Sequence, residues 1–139
     1  MKLIVVAITA ILLSLGSYQS QASNIQRFIV SLCDYAKNNN RSSMRKKLKQ
    51  SKLKLRRVYK DISCSSADGF NGGSLLRIST YFGSFEAAKY ISTQIGKKGI
   101  LNTESDGQNI LAWTEHLKTS GAAKAQNLQN FIDLYKSKS

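Results

Sequence analysis

The sequence predicts an all-α fold, a small bundle or short solenoid of helix pairs, and three observations carry that reading. Apolar residues recur at three- and four-residue intervals in most segments, the spacing of one helix face. No stretch alternates long enough to make a confident strand. Gly72-Gly73-Ser74-Leu75-Leu76-Arg77-Ile78-Ser79 and Gly107-Gln108-Asn109-Ile110-Leu111-Ala112-Trp113-Thr114 share one pattern, 35 residues apart: glycine, a small polar residue two places on, then two aliphatics. A glycine turn opening a short helix at such a period is the signature of stacked helix pairs. Each pair covers its apolar face only when a neighbour stacks on it, so the pattern points to a binding scaffold more than to a catalyst.

Met1-Lys2 followed by an apolar run from Leu3 to Leu15 and small residues up to Ala22 reads as a secretory signal peptide, with cleavage after Ala22. The run is too short to cross a bilayer as a helix. The expected mature chain, residues 23–139, fits one domain: a basic helical half over 23–64 and helix pairs over 70–139. It would be periplasmic or secreted, where disulfides persist. Cys33 and Cys64 are therefore expected to pair, and two isolated cysteines with one histidine fall short of a metal site.

The elements follow in order. Ile25, Phe28, Ile29, Leu32 and Ala36 mark an amphipathic helix over 24–37, ended by Asn38-Asn39-Asn40. Ser42 or Ser43 is expected to cap a second helix with Met44 and Leu48 inward. Leu53-Lys54-Leu55 reads as a strand or extended connector, and Val58, Tyr59 and Ile62 as one helical turn. Residues 65–73 read as loop. A helix over 74–82 with Leu75, Ile78 and Phe82 inward stops at Gly83, and another starts at Ser84 with Ala87, Ala88, Ile91 and Ile95 inward. Gly99 is expected to terminate it, behind Lys97 and Lys98. Helices over 109–118 and 122–136 complete the chain, the last with Leu128, Phe131, Ile132 and Tyr135 on one face.

Between Gly72 and Leu111 the layout resembles ankyrin repeats, in the glycine, hydroxyl and leucine of Gly72-x-Ser74-Leu75-Leu76-Arg77 and the glycine-led Gly83-Ser84-Phe85-Glu86-Ala87-Ala88. The proline and histidine of that family's motif are missing. A second resemblance covers more of the chain. Leu32-Cys33, then Leu53-x-Leu55-Arg56-Arg57-Val58-Tyr59-x-Asp61-Ile62-x-Cys64, then Asn71-Gly72-x-Ser74-Leu75-Leu76-Arg77 is similar to a family of short exported bacterial proteins. Its members carry a two-cysteine domain of unknown function with a Cys-Asn-Gly-x-Ser-Leu-Leu-Arg core. Here residues 65–70 are inserted between Cys64 and Asn71, which is expected to loosen the turn. The resemblance implies export and a small helical domain, and no activity.

Charge supplies the strongest chemical signal. With Lys2 in the leader, twenty cations against eight acids give the mature chain +12. From Arg41 to Lys60 ten of twenty positions are basic and none acidic, so the excess is a local patch. Arg45, Lys46, Lys47, Lys49, Lys52, Lys54, Arg56 and Arg57 are the candidate anion- or partner-binding residues. An anionic envelope component or an acidic protein is the expected partner, ahead of nucleic acid, because an exported protein rarely meets the latter. A solvated basic face is the bland alternative.

Among Arg56, Arg57 and Arg77, one is expected to hold Asp61 or Asp68 across the loop, the other use of a guanidinium fork being to grip a ligand's carboxylate or phosphate. Trp113 is expected in the core and His116 on the surface. The eight carboxylates and His116 fall into no catalytic spacing, so no catalytic residue and no cofactor is assigned. A binding or accessory protein is expected, with a small hydrolase acting on a polyanion as the alternative.

Overall fold

The structure, a computed structural model, describes residues 22–139. The leader expected over residues 1–22 lies outside the described residues but for Ala22. Seven α-helices are described: α1 (residues 22–37), α2 (Arg41–Ser51), α3 (Leu55–Val58), α4 (Leu75–Tyr81), α5 (Phe85–Leu101), α6 (Ile110–Ser120) and α7 (Leu128–Lys138). A 3-10 turn, Tyr59–Asp61, follows α3. Among the described residues there are two isolated β-bridges and no strand, so the fold is an all-α bundle. One apolar cluster runs from Leu32 to Tyr135. At its centre α4 is buried along its whole length, and α5 packs against α3, α4 and α7.

The repeated glycine pattern has a local physical cause. Gly72 and Gly107 both take positive φ, at 95° and 77°, which side chains with a Cβ rarely adopt. Two residues later Ser74 and Asn109 are N-caps, accepting from the amides of Arg77 (3.3 Å) and Ala112 (2.9 Å). The aliphatics that follow are buried or half-buried.

Several boundaries depart from the sequence reading. Asn40, rather than Ser42 or Ser43, caps α2, its Oδ1 accepting from the Ser43 amide at 3.1 Å. Of the strand or extended connector read over Leu53–Leu55, residues 53 and 54 are the connector, and Leu55 already begins a helix. Gly99 lies inside α5, and the break comes earlier, at Gly96 (φ 68°, ψ −172°). Residues 122–127 are not helical: the Lys124 and Ala125 amides both donate to the Tyr81 carbonyl, at 3.1 and 3.2 Å, and hold this segment on the α4–α5 corner. The apolar stripe of α1 is buried at Leu32 and Ala36, yet Ile25 is 62% exposed.

Asn39, with φ 57°, closes the α1–α2 corner and sends its Oδ1 to the Ala87 amide at 3.0 Å, capping α5 from another element. Cys33 and Cys64 form a disulfide, Cα atoms 5.6 Å apart, tying α1 to the stem of the 64–73 loop. That loop is stitched by amide–carbonyl pairs between Cys64 and Gly73 (2.7 and 3.0 Å) and between Ala67 and Phe70 (3.0 and 2.9 Å). Asp68 and Gly69 at its tip take φ 49° and 90°, the pair of positive values that a tight hairpin turn needs. The inserted residues thus close a turn of their own, and Phe70 enters the core against Tyr81 and Phe82.

Candidate functional site

Two constellations stand out, one electrostatic and one buried. The first is a groove of about 1040 Å³ between α2, the 52–54 turn, α3 and α5. Arg41, Arg45, Lys49 and Lys52 succeed one another at four, four and three residues, which puts them on one face of α2 and its cap. Met44 and Leu48, on the neighbouring face, are buried, so the core fixes which cations line the groove. Lys52 turns the chain with φ 57°, returning Lys54, Arg56 and Arg57 to the same groove. The opposite wall is Lys89, Tyr90, Thr93 and Gln94 of α5.

Eight cations and no carboxylate line the walls. Glu86 reaches Arg41 from outside at 3.8 Å, and both side chains are about half exposed, so water screens that pair. Arg56 is positioned by the backbone of α5: its Nε donates a long 3.4 Å bond to the Gln94 carbonyl, two residues before the break at Gly96. Arg41 lies 6.0 Å from the Tyr90 ring centroid, and partial burial raises the Tyr90 phenol's pKa although Arg45 and Arg41 oppose this.

The structure divides the predicted basic residues. Arg45, Lys49, Lys52, Lys54, Arg56 and Arg57 share the groove. Lys46 is exposed outside it, and Lys47 faces a separate apolar groove on the other side of α2. Lys89 joins from far along the chain, where a lone lysine on a helix gave no signal.

The second constellation is centred on Arg77, only 6% exposed on α4. Its Nη1 and Nη2 donate to Asp106 Oδ2 (2.7 Å) and Oδ1 (2.9 Å), and Nη2 also donates to the Gln108 carbonyl at 3.0 Å. Nε lies 2.6 Å from Glu104 Oε2, an ionic contact without hydrogen-bond alignment. Glu104 in turn accepts from the Ser74 amide (3.1 Å) and hydroxyl (3.0 Å). The Trp113 ring lies 5.1 Å from the guanidinium. The forked bonds from Arg77 hold the Asp106 carboxyl down at about 2. So Arg77 serves Glu104 and Asp106, not Asp61 or Asp68; Asp68 pairs instead with Lys37 at 2.6 Å. Lys37 pulls the exposed Asp68 carboxyl below its ordinary value.

These contacts give the Asn71-Gly72-x-Ser74-Leu75-Leu76-Arg77 motif a structural meaning. Its glycine turns, its serine caps, its leucines fill the core, and its arginine ties α4 to the 104–108 turn. Asn71 and Gly72 line a polar cleft of about 640 Å³ with Ser74, Arg77 and Glu104. His116 is exposed and borders a smaller cavity on the other side of Arg77.

With α2, the disulfide, the motif helix and α5 in place, membership can be stated. Residues 32–102 match the family described as Protein of unknown function (DUF3718), and the chain belongs to it. The basic groove, the disulfide and the motif all fall within the matched residues. No curated protein and no solved structure matches the chain. Among the described residues no helix is long and apolar enough to cross a membrane, and no three potential metal-binding side chains cluster.

Proposed function

We propose that this chain is an exported, non-enzymatic binding or accessory protein of the cell envelope, periplasmic or secreted after loss of residues 1–22. Its groove between α2, α3 and α5 receives an anionic partner. The single sign of that groove carries the reading: eight cations crowd a concave surface without one carboxylate among them. Ordinary protein surfaces intersperse the two signs, and like charges held together in a concavity focus a potential that attracts anions. The Cys33–Cys64 bond supports an oxidising compartment. The pairs α4–α5 and α6–α7 are read as ankyrin-like units, of which α5 supplies one wall of the groove.

Two double variants of equal charge change test the groove: Arg45→Glu with Lys49→Glu inside it, and Lys46→Glu with Lys47→Glu outside it. Binding to soluble polyphosphate, measured by calorimetry at low and high salt, is expected to fall at least tenfold more for the first pair. Equal losses would mean that only net charge matters, and the groove would lose its role.

One observation favours the alternative, a small secreted hydrolase acting on nucleic acid or a cell-wall polymer. Glu104 and Asp106 converge beside the polar cleft. Arg77 engages both, however, and an Asp106 carboxyl at about 2 makes a poor general acid at neutral pH. Cleavage of a polyanion by the purified protein, lost in Glu104→Gln, would establish this reading instead.

A further inference from the structure

The basic groove does not stand alone. On the other side of α2 lies an apolar groove of about 770 Å³, lined by Ile25, Phe28 and Ile29 of α1 with Leu53, Val58 and Ile62. Leu53 belongs to the walls of both grooves. It stands at the tip of the α2–α3 turn, 43% exposed, between two exposed lysines, Lys52 and Lys54. Ile25, on the α1 wall of the apolar groove, is 62% exposed. Arg27 and Lys47 stand on its rim against one carboxylate, Asp61, so the positive field continues across it.

We propose that the occupant of this pair of grooves is an anionic phospholipid. Its phosphate headgroup takes the cationic groove, and an acyl chain passes over Leu53 into the apolar one. This deepens the anion-binding reading and rests on it. A free phosphate or a soluble polyanion explains the cations but leaves the exposed Leu53 and Ile25 without a use. Nucleic acid fits less well, since Tyr90 is the groove's one aromatic ring and offers a single stacking platform. An amphiphile uses both halves: cations near an anionic leaflet attract it, and apolar side chains add area-dependent binding.

The experiment uses the protein recovered from an expressing cell, its N-terminus read by mass spectrometry, with two probes. One is a vesicle of phosphatidylglycerol and phosphatidylcholine, the other soluble polyphosphate. Wild type is expected to sediment with the mixed vesicles, not with pure phosphatidylcholine, and to keep part of that binding at a salt concentration that releases polyphosphate. Ile25→Ser with Leu53→Ser, both exposed positions and changes that leave the charge of the cationic groove as it is, is expected to weaken vesicle binding tenfold or more. The same variant is expected to shift polyphosphate affinity by less than about threefold. Arg45→Glu with Lys49→Glu is expected to weaken both.

Polyphosphate binding without vesicle binding overturns the lipid inference and leaves the anion groove intact. Binding to neither probe overturns both readings. Vesicle binding that ignores Ile25 and Leu53 overturns the acyl path. So does a dimer that the Ile25 and Leu53 variant dissociates, which would assign the apolar groove to a second copy of the chain.

Discussion

Replacing Arg77 with alanine tests the internal architecture most directly. The change removes a forked pair of bonds to Asp106, a bond to the Gln108 carbonyl, the ionic contact with Glu104 and the guanidinium beside Trp113. Taking one partner from a buried ion pair costs roughly 3–5 kcal/mol, because the remaining charge stays desolvated. Here the Asp106 and Glu104 side chains are 42% and 25% exposed, so water compensates them in part. A loss of about 2–3 kcal/mol is the discounted figure. With an urea slope of roughly 1–3 kcal/mol/M for a small domain, the midpoint falls by about a molar or more, followed by circular dichroism with the disulfide intact.

The acid limb supplies a second, independent reading of the same contact. Asp106 titrates at about 2 in the folded chain against an ordinary 3.8, so folding favours its ionised form. That stabilisation is complete above pH ~4 and disappears as pH falls through ~2. Screening of this partly exposed carboxyl reduces its worth to about 1 kcal/mol. Arg77→Ala removes the main cause of the shift, so its stability should change less than wild type's between pH 4 and 2. A variant that loses under about 0.5 kcal/mol, or keeps the wild-type acid limb, refutes the network argument.

Other outcomes follow from particular contacts. Gly99→Ala, which helix propensity alone would make stabilising by about 1 kcal/mol, is expected to destabilise by roughly that much or more. An added Cβ would lie 2.6 Å from both Cβ and Cγ1 of Ile95, so a raised thermal midpoint refutes the reasoning. Opening the Cys33–Cys64 bond with a paired change to serine is expected to cost roughly 3–4 kcal/mol by loop-closure entropy, since the bond spans 31 residues. An unchanged urea midpoint counts against that. Burial pushes the Tyr59 and Tyr135 phenols far above their ordinary 10.0. Folding favours their neutral forms, so this contribution is present below pH ~10 and declines as pH rises beyond it. Ultraviolet titration should show both ionising only with unfolding; reversible ionisation near pH 10 in the folded chain would contradict their burial.

The parts of the fold legible in the sequence were those set by local rules. The stripes of α2, α4, α5 and α7 identified Met44 and Leu48, Leu75 and Ile78, Ala88 and Ile91, and Phe131 and Tyr135 as core, and all are buried. The glycine-plus-cap pattern located the starts of α4 and α6 because positive φ and capping chemistry act within four residues. Phe70, buried at the end of the loop, has no sequence signal because one anchor residue in a loop has no period; the Asp68-Gly69 pair ahead of it is the available turn signal. The sequence starts the final helix at residue 122, six before Leu128, since nothing local reveals that the Tyr81 carbonyl captures the amides of Lys124 and Ala125.

Composition and spacing by themselves determined an all-helical chain, a pair of cysteines available for bonding and a dense cationic run, because periodicity and charge are properties of neighbours along the chain. Tertiary structure alone decided which of those cations meet. Packing of Met44 and Leu48 turns Lys49 toward the groove and leaves Lys46 outside, and the approach of α5 brings Lys89 to face them. It likewise delivered Glu104 and Asp106 to Arg77, about thirty positions away, where shape and burial rather than sequence distance choose the partner.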